Sequence, residues 1–516
     1  MNKYLPLSII CLFCVAISAI YTSTTGCSPS KMDQLIETLM DKTVHFHDRK
    51  DAAWALREYN TPKAIGALIY VLKDTLDDLD VRSSVAESLG AIKDTAAVIP
   101  LINTLGERGD NDFRYTRFHQ RVILSLGEIG DERSIKPFVE ILKSEEEPDN
   151  SDFFGMRQLS GTAGSALTRI GSASVIPLLS ILKDESSKEV ARIRAIKILG
   201  NLQDTTSVLP LIIELNDDSQ KIREETINSL GKIMDQRAVR PLILSLNDSN
   251  FNIRAKSAIA LGMIKNDIAI EPLISILSDK NSYVRASAAF ALGELHNKRA
   301  IRPLISILKD KNQNVYRSSE EALGKLGKPA IEYLVSIIKE KEINVSQDQI
   351  ARALGHATDM ESTDLLIGLL NDENSDVRTI VIYSFYYNKD SSSVEPLILR
   401  LKDRDKEVRK AAARVLECFN NTKASEALRA ALNEKNLEII SYSYAYFIRI
   451  GVEGTEELLI SALDKHGNKD MAIGFLNSGN FKLIDKGREW LDKNNYEVYS
   501  TPVPSGSEGL KWGQNR

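Results

Sequence analysis

The chain has 516 residues, with 66 basic and 71 acidic side chains and a formal net charge of -5. That length exceeds the ~100 to 200 residues of one compact domain, so the chain is either several domains or an array that grows in one dimension. The acidic balance argues against the broad basic footprint of a nucleic-acid binder.

At the N-terminus, Lys3 is followed by an uncharged run from Leu5 to Ile20, then by small polar residues and Cys27. The run is shorter than the ~20 residues of a membrane-spanning helix and suits the core of a secretory signal better, with an uncleaved anchor as the other reading. Thr24-Thr25-Gly26-Cys27 resembles a bacterial lipobox, in which a small residue precedes a cysteine that is acylated. Gly26 and Cys27 match that pattern, whereas Thr24 stands where the family usually has an aliphatic residue. The resemblance implies a lipoprotein signal peptide over residues 1–26, a lipid on Cys27 and residence on a membrane of the bacterial cell envelope. Ser28 replaces the Asp of an inner-membrane retention signal, which favours the outer membrane. Cys11 and Cys14 would leave with the signal and Cys27 would be blocked, so Cys418 would be the sole thiol, expected as a buried structural residue.

From residue 32 the chain repeats itself. Pro210, Pro241, Pro272 and Pro303 fall 31 residues apart, and Gly231, Gly262, Gly293 and Gly324 keep the same step. Within one period Ile270, Leu273, Ile274 and Leu277 form the apolar face of a first helix, A. Val284, Ala288, Ala291, Leu292 and Leu295 form that of a second, B, whose small central residues allow close approach of neighbours. Asp94, Asp131, Asp204, Asp235, Asn266, Asn297 and Asp390 each stand six residues before the proline position, as caps for helix A. At the turn between helices, Asp217, Asp248, Asp279, Asp372 and Asp403 precede Arg223, Arg254, Arg285, Arg378 and Arg409 by six residues. A regular series of this kind is what stitching of repeats needs, so a structural ladder is preferred to a ligand site.

Pro in helix A, Asp at the turn, Val or Ile then Arg opening helix B and a Leu-Gly ending together resemble HEAT repeats, above all the short bacterial type seen in phycobilisome lyases. The resemblance implies an all-α fold, an α-solenoid of about 13 to 14 antiparallel helix pairs over residues 32–495, with helix A convex, helix B concave and Asp and Arg side chains linking successive repeats. Leu483, Gly487, Trp490 and Leu491 suggest a final helix, and the Pro- and Gly-bearing stretch 500–516 reads as a disordered tail.

Departures from the period mark candidate sites. The proline-to-glycine distance is 21 residues in regular repeats but 24, 27, 31 and 23 in four consecutive N-terminal ones, placing insertions near 107–117 and 144–155 on one edge. Phe113, Arg114 and Tyr115, with Arg108 and Arg117, mark the first loop as a binding candidate. Phe153 and Phe154 beside Glu145, Glu146, Glu147, Asp149 and Asp152 mark the second; the two loops could equally pair with each other. Near the C-terminus Tyr383, Phe385, Tyr386, Tyr387, Tyr442, Tyr444, Tyr446 and Phe447 replace small residues of helix B, with core filling as the first expectation.

No catalytic residue, cofactor or metal is assigned. His45, His47 and Asp48 are the one compact group of metal-ligand types and read as a solvated turn. The six histidines lack the His-Glu pairs of deoxyhypusine hydroxylase, which disfavours iron chemistry, and an exported location disfavours a bilin-lyase role. The expected function is therefore a non-enzymatic, lipid-anchored scaffold binding a protein or peptide, without nucleic acid.

Overall fold

The computed structural model describes residues 30–107, 113–144, 156–341 and 345–496. The signal segment 1–26, Cys27, Arg108, Phe153, Phe154 and the tail 500–516 lie outside them, as does the side chain of Phe113. The described residues form fourteen successive helix hairpins and a final helix, Phe481–Lys493, so the chain is an all-α, solenoid-like stack. Two compact units divide it, 1–241 and 242–516.

One regular repeat shows why the sequence folds this way. Asn266 does not cap the α-helix directly: its side chain accepts from the Ile268 N–H and caps a single 3-10 turn, Asp267–Ala269, that leads into Ile270–Ser275. All seven Asp or Asn residues singled out before the prolines do the same at their own 3-10 turns. Pro272 is consequently the third residue of the helix, where the missing N–H would have had no full helical partner.

Helix A buries one stripe: Ile270, Leu273 and Leu277 are almost wholly enclosed, as are Ile301, Leu304 and Leu308 one period on. Each such side chain contributes ~1.5 to 3 kcal/mol relative to exposure. The B helices of successive repeats pack on one another within each unit, Phe251–Ile264 on Ser282–Glu294 and the latter on Gln313–Lys325. Gly262 and Gly293 set that spacing. A Cβ on either would come within 2.8 Å of the backbone of Ala291 or Ala322 in the next B helix.

The final helix buries Leu483, Gly487 and Leu491, while Trp490 is only half-buried and stacks on Tyr496 at 6.1 Å. No helix among the described residues is long and apolar enough to cross a membrane.

Candidate functional site

The turn between helices A and B carries the densest polar chemistry. Arg254 Nη1 donates to the carbonyl of Asp248, six residues earlier, at 2.9 Å. Its Nε and Nη2 reach the carboxylate of Asp279 in the next repeat at 2.7 and 2.9 Å. Arg285 repeats the arrangement with the Asp279 carbonyl and the Asp310 carboxylate, and Arg378 with the Asp372 carbonyl and the Asp403 carboxylate. The residue six positions before each arginine therefore supplies a backbone carbonyl, and the side-chain bond runs 25 residues forward. Arg223 Nη1 bonds the Asp217 carbonyl, and Arg409 joins the Asp403 carbonyl to the Glu438 carboxylate. Asp372 takes Lys339 as its cation, at 2.7 Å.

Each carboxylate has a second task. Oδ1 of Asp217, Asp248, Asp279, Asp310, Asp372 and Asp403 accepts the N–H two residues on, where the next side chain caps helix B. The hydrogen bond from Arg285 holds the Asp310 carboxyl below its ordinary range against the opposing effect of burial. Charges tied in this way stitch repeats and are not offered to a ligand.

Sequence reasoning missed several rungs. Arg49 pairs with Asp77 at 2.7 and 2.6 Å and also donates to the Leu39 carbonyl, deep in the first two hairpins. Arg82, wholly buried, reaches Glu107 at 2.7 Å and lies over the Phe118 ring at 4.7 Å. Arg192 bonds Asp217 at 2.7 Å and also meets Glu214. A search for arginine followed 25 residues later by an acid would have found Arg82, Arg192 and Asp310.

The loop candidates divide differently than the sequence suggests. The helix Phe113–Ile129 begins at Phe113, so Phe113, Arg114, Tyr115 and Arg117 occupy its first turns and not a loop. Extra residues there lengthen helix B. Tyr115 is half-buried with its ring 6.2 Å from that of His119, whose Nε2 donates to the Thr104 carbonyl at 3.1 Å, while Arg114 is exposed. Glu107, at the other edge of the insertion, belongs to the ladder.

The C-terminal aromatics split between core and surface. Phe385, Tyr442, Tyr446 and Phe447 are buried, Tyr383 and Tyr444 are half-buried, and Tyr386 and Tyr387 are exposed. Tyr383 to Tyr387 lie on the unbroken helix Ser375–Asn388, whereas at Tyr442 to Phe447 helix B divides at Ser443 into Leu437–Tyr442 and Tyr444–Ile450. Glu417 stands eight residues after Arg409, the place Gly293 holds after Arg285, and its Oε2 accepts the Tyr446 N–H at 3.3 Å beyond the break. Burial pushes its carboxyl up to about 7, with Arg449, the Tyr446 N–H and Arg414 opposing. Cys418 is half-buried, not enclosed, because it lies just past the end of Lys406–Leu416; its Sγ donates to the Arg414 carbonyl at 3.4 Å. At the other end His45 caps Phe46–Leu56 through Nδ1 and stacks on His47. Among the described residues no three His, Cys, Asp or Glu side chains converge as a metal site.

The family model for HEAT repeats matches residues 32–118, 175–262, 208–277, 270–355 and 362–446, more than half of the sequence. The chain belongs to the HEAT-repeat family. Solved structures similar to this HEAT-repeat chain share little sequence with it. Human deoxyhypusine hydroxylase in complex with glycerol is 24% identical over 51% of this chain and 96% of that one, with a TM-score of 0.23. The karyopherin Kap121p bound to the extreme C-terminus of the protein phosphatase Cdc14p is 12% identical over 93% and 66%, with a TM-score of 0.47. The complex of CpcE and CpcF of phycocyanin lyase from Nostoc sp. PCC7120 is 20% identical over 48% and 95%, with a TM-score of 0.27. No curated protein matches the chain.

Proposed function

We propose that this HEAT-repeat protein is a non-enzymatic scaffold of the bacterial envelope, lipid-anchored at Cys27, that holds a protein or peptide partner on its helix faces. The observation that carries this reading is a set of exposed aromatic rings on the B helices of the second unit: Tyr283, Phe290, Tyr386 and Tyr387. Rings of this kind supply large contact area at small conformational cost and act as anchors in protein interfaces. The neighbouring turn charges are spent on the ladder, so recognition falls to the helix faces.

Anchoring rests on the lipobox resemblance at Gly26 and Cys27, and Ser28 favours the outer membrane. The test is crosslinking in intact envelopes followed by mass spectrometry, comparing the natural chain with a Tyr283→Ser, Phe290→Ser, Tyr386→Ser variant of unchanged helix content. A specific protein captured by the first and lost with the second is expected; equal capture by both would remove the aromatic anchors.

A further inference from the structure

In the first unit, the edge at which each helix B gives way to the next helix A is tied from hairpin to hairpin. Lys63 Nζ bonds Asp33 Oδ1 at 2.5 Å, Arg133 Nη2 donates to the Thr95 carbonyl at 3.0 Å, and Gln203 Nε2 donates to the Lys232 carbonyl at 2.7 Å. Ser30 caps Lys31–Met40 on this same edge.

Large apolar side chains stand exposed along it. Ile99, Ile176 and Leu209 are each the second residue of their helix A, just before the proline, and are 46%, 79% and 58% exposed. The preceding Val98, Val175 and Val208 face the core, so packing does not account for an apolar residue one place on. Lys136 holds the same position between Ile99 and Ile176 and is exposed. In the second unit that position carries Glu271, Arg302 and Glu395. Single exposed apolar residues are ordinary on a protein surface, but three at one register of one edge form a line.

Nearest the start of the stack is Trp54, in the last turn of Phe46–Leu56. It is 55% exposed, with the Arg57 guanidinium 3.7 Å from its ring centre. An indole beside a cation suits the boundary between lipid headgroups and acyl chains, where tryptophan concentrates. Lys31, Lys93 and Lys136 add exposed cations, while Asp33 is bonded to Lys63, and Asp94 and Asp131 cap their 3-10 turns. Apolar side chains interspersed with cations match a surface of anionic headgroups.

Ser30 is three residues beyond Cys27, a path of at most ~11 Å when fully extended. The opposite edge of the first hairpin is a further helix length away, ~15 Å for the ten residues of Lys31–Met40. Lipid on Cys27 would therefore bring this edge, and not the other, to the bilayer.

We infer that the first unit lies on the lipid surface along this edge, with Trp54, Ile99, Ile176 and Leu209 set into the headgroup boundary and the lysines on anionic headgroups. This rests on the anchor at Cys27 and gives it an orientation, which leaves the helix faces to the partner.

The test is quenching of a single tryptophan in the acylated full-length chain. The chain is reconstituted in phosphatidylethanolamine and phosphatidylglycerol vesicles, with or without phosphatidylcholine brominated near the top of its acyl chains. Trp490→Phe with Trp512→Phe leaves Trp54 as the reporter, and adding Trp54→Phe with Leu209→Trp moves the reporter along the edge. Trp54→Phe with Glu185→Trp, in an exposed turn from helix A to helix B, reports on the opposite edge. Brominated lipid should at least halve emission from Trp54 and from Leu209→Trp and spare Glu185→Trp, in chains of natural melting temperature. Equal quenching at all three positions, or none at either edge position, overturns the inference. Quenching of Trp54 alone also overturns it, by confining contact to the first hairpin. Protection from acrylamide that grows with protein concentration, in place of lipid quenching, would assign the edge to a second copy of the chain. A chain that takes up palmitate without quenching sinks the edge and leaves the anchor standing, whereas a chain without the label removes the anchor and the inference with it.

Discussion

Arg378 and Asp403 hold each other by two bonds, Nε to Oδ2 at 3.0 Å and Nη2 to Oδ1 at 2.7 Å, with both side chains almost closed off from water. They belong to successive repeats, so the pair works as a clamp between hairpins. Removing Arg378 leaves Asp403 only the longer 3.5 Å contact from Arg400 Nη1 as its ion pair, and breaking a buried pair costs up to ~3 to 5 kcal/mol. Arg378→Ala should therefore destabilise the second unit by about that amount, read by denaturant unfolding and by faster amide exchange over residues 372–416. A natural unfolding curve would remove the clamp role.

Two glycines should respond in opposite directions to the same change. Gly293→Ala drives a methyl to 2.8 Å from the Ala322 backbone, a clash the side chains cannot relieve, and overpacking of this kind costs ~1 to 3 kcal/mol. Gly161→Ala meets no described residue within 4 Å and should stabilise the first unit by up to ~1 kcal/mol through helix propensity. Thermal melts of the two variants decide it, and equal signs would contradict the account of B-helix spacing.

Glu417 makes the C-terminal repeats sensitive to pH. Its folded-state pKa is raised from 4.5 to about 7, so the folded chain binds the proton more tightly than the unfolded one. The associated stability is full below the ordinary value and is lost as pH rises through about 7, by at most about 3 kcal/mol. Asp310 works in the other window: its lowered pKa gives stability present at neutral pH and lost on acidification through the carboxylate range. Glu417→Gln should flatten the change between pH 5 and 8 seen by amide exchange near Tyr446, leaving the acid limb in place. An unchanged profile between pH 5 and 8 would exclude Glu417 as its source.

The array was legible in the sequence because every repeat solves the same local problems with the same residues. Asp235, Asn266 and Asn297 cap, Pro241, Pro272 and Pro303 open helix A, and Gly262 and Gly293 admit the next B helix. The ladder was only half legible. The six-residue spacing of Asp279 and Arg285 is local, whereas the Arg285 to Asp310 bond depends on how far one hairpin advances over the last. Asp310 was hidden because Tyr316 stands six residues after it. Spacing counts the extra residues of 107–117 without saying which helix absorbs them, and Phe113 to Arg117 extend helix B.

Cys27→Ala should move the protein from membrane to soluble fractions and abolish metabolic labelling by palmitate, because several acyl chains on one terminus give stable anchoring. Retention in the membrane fraction without label would favour an uncleaved N-terminal helix.

The most direct measurement of the central claim is crosslinking capture from intact envelopes by the full-length tagged chain. It is run beside a variant that shortens residues 108–112 and 145–155 while keeping Glu107 for its bond to Arg82. A scaffold predicts one specific protein enriched over an untagged control, with the shortened chain showing whether the insertions contribute. No protein enriched by a chain that is correctly placed and folded would contradict the account.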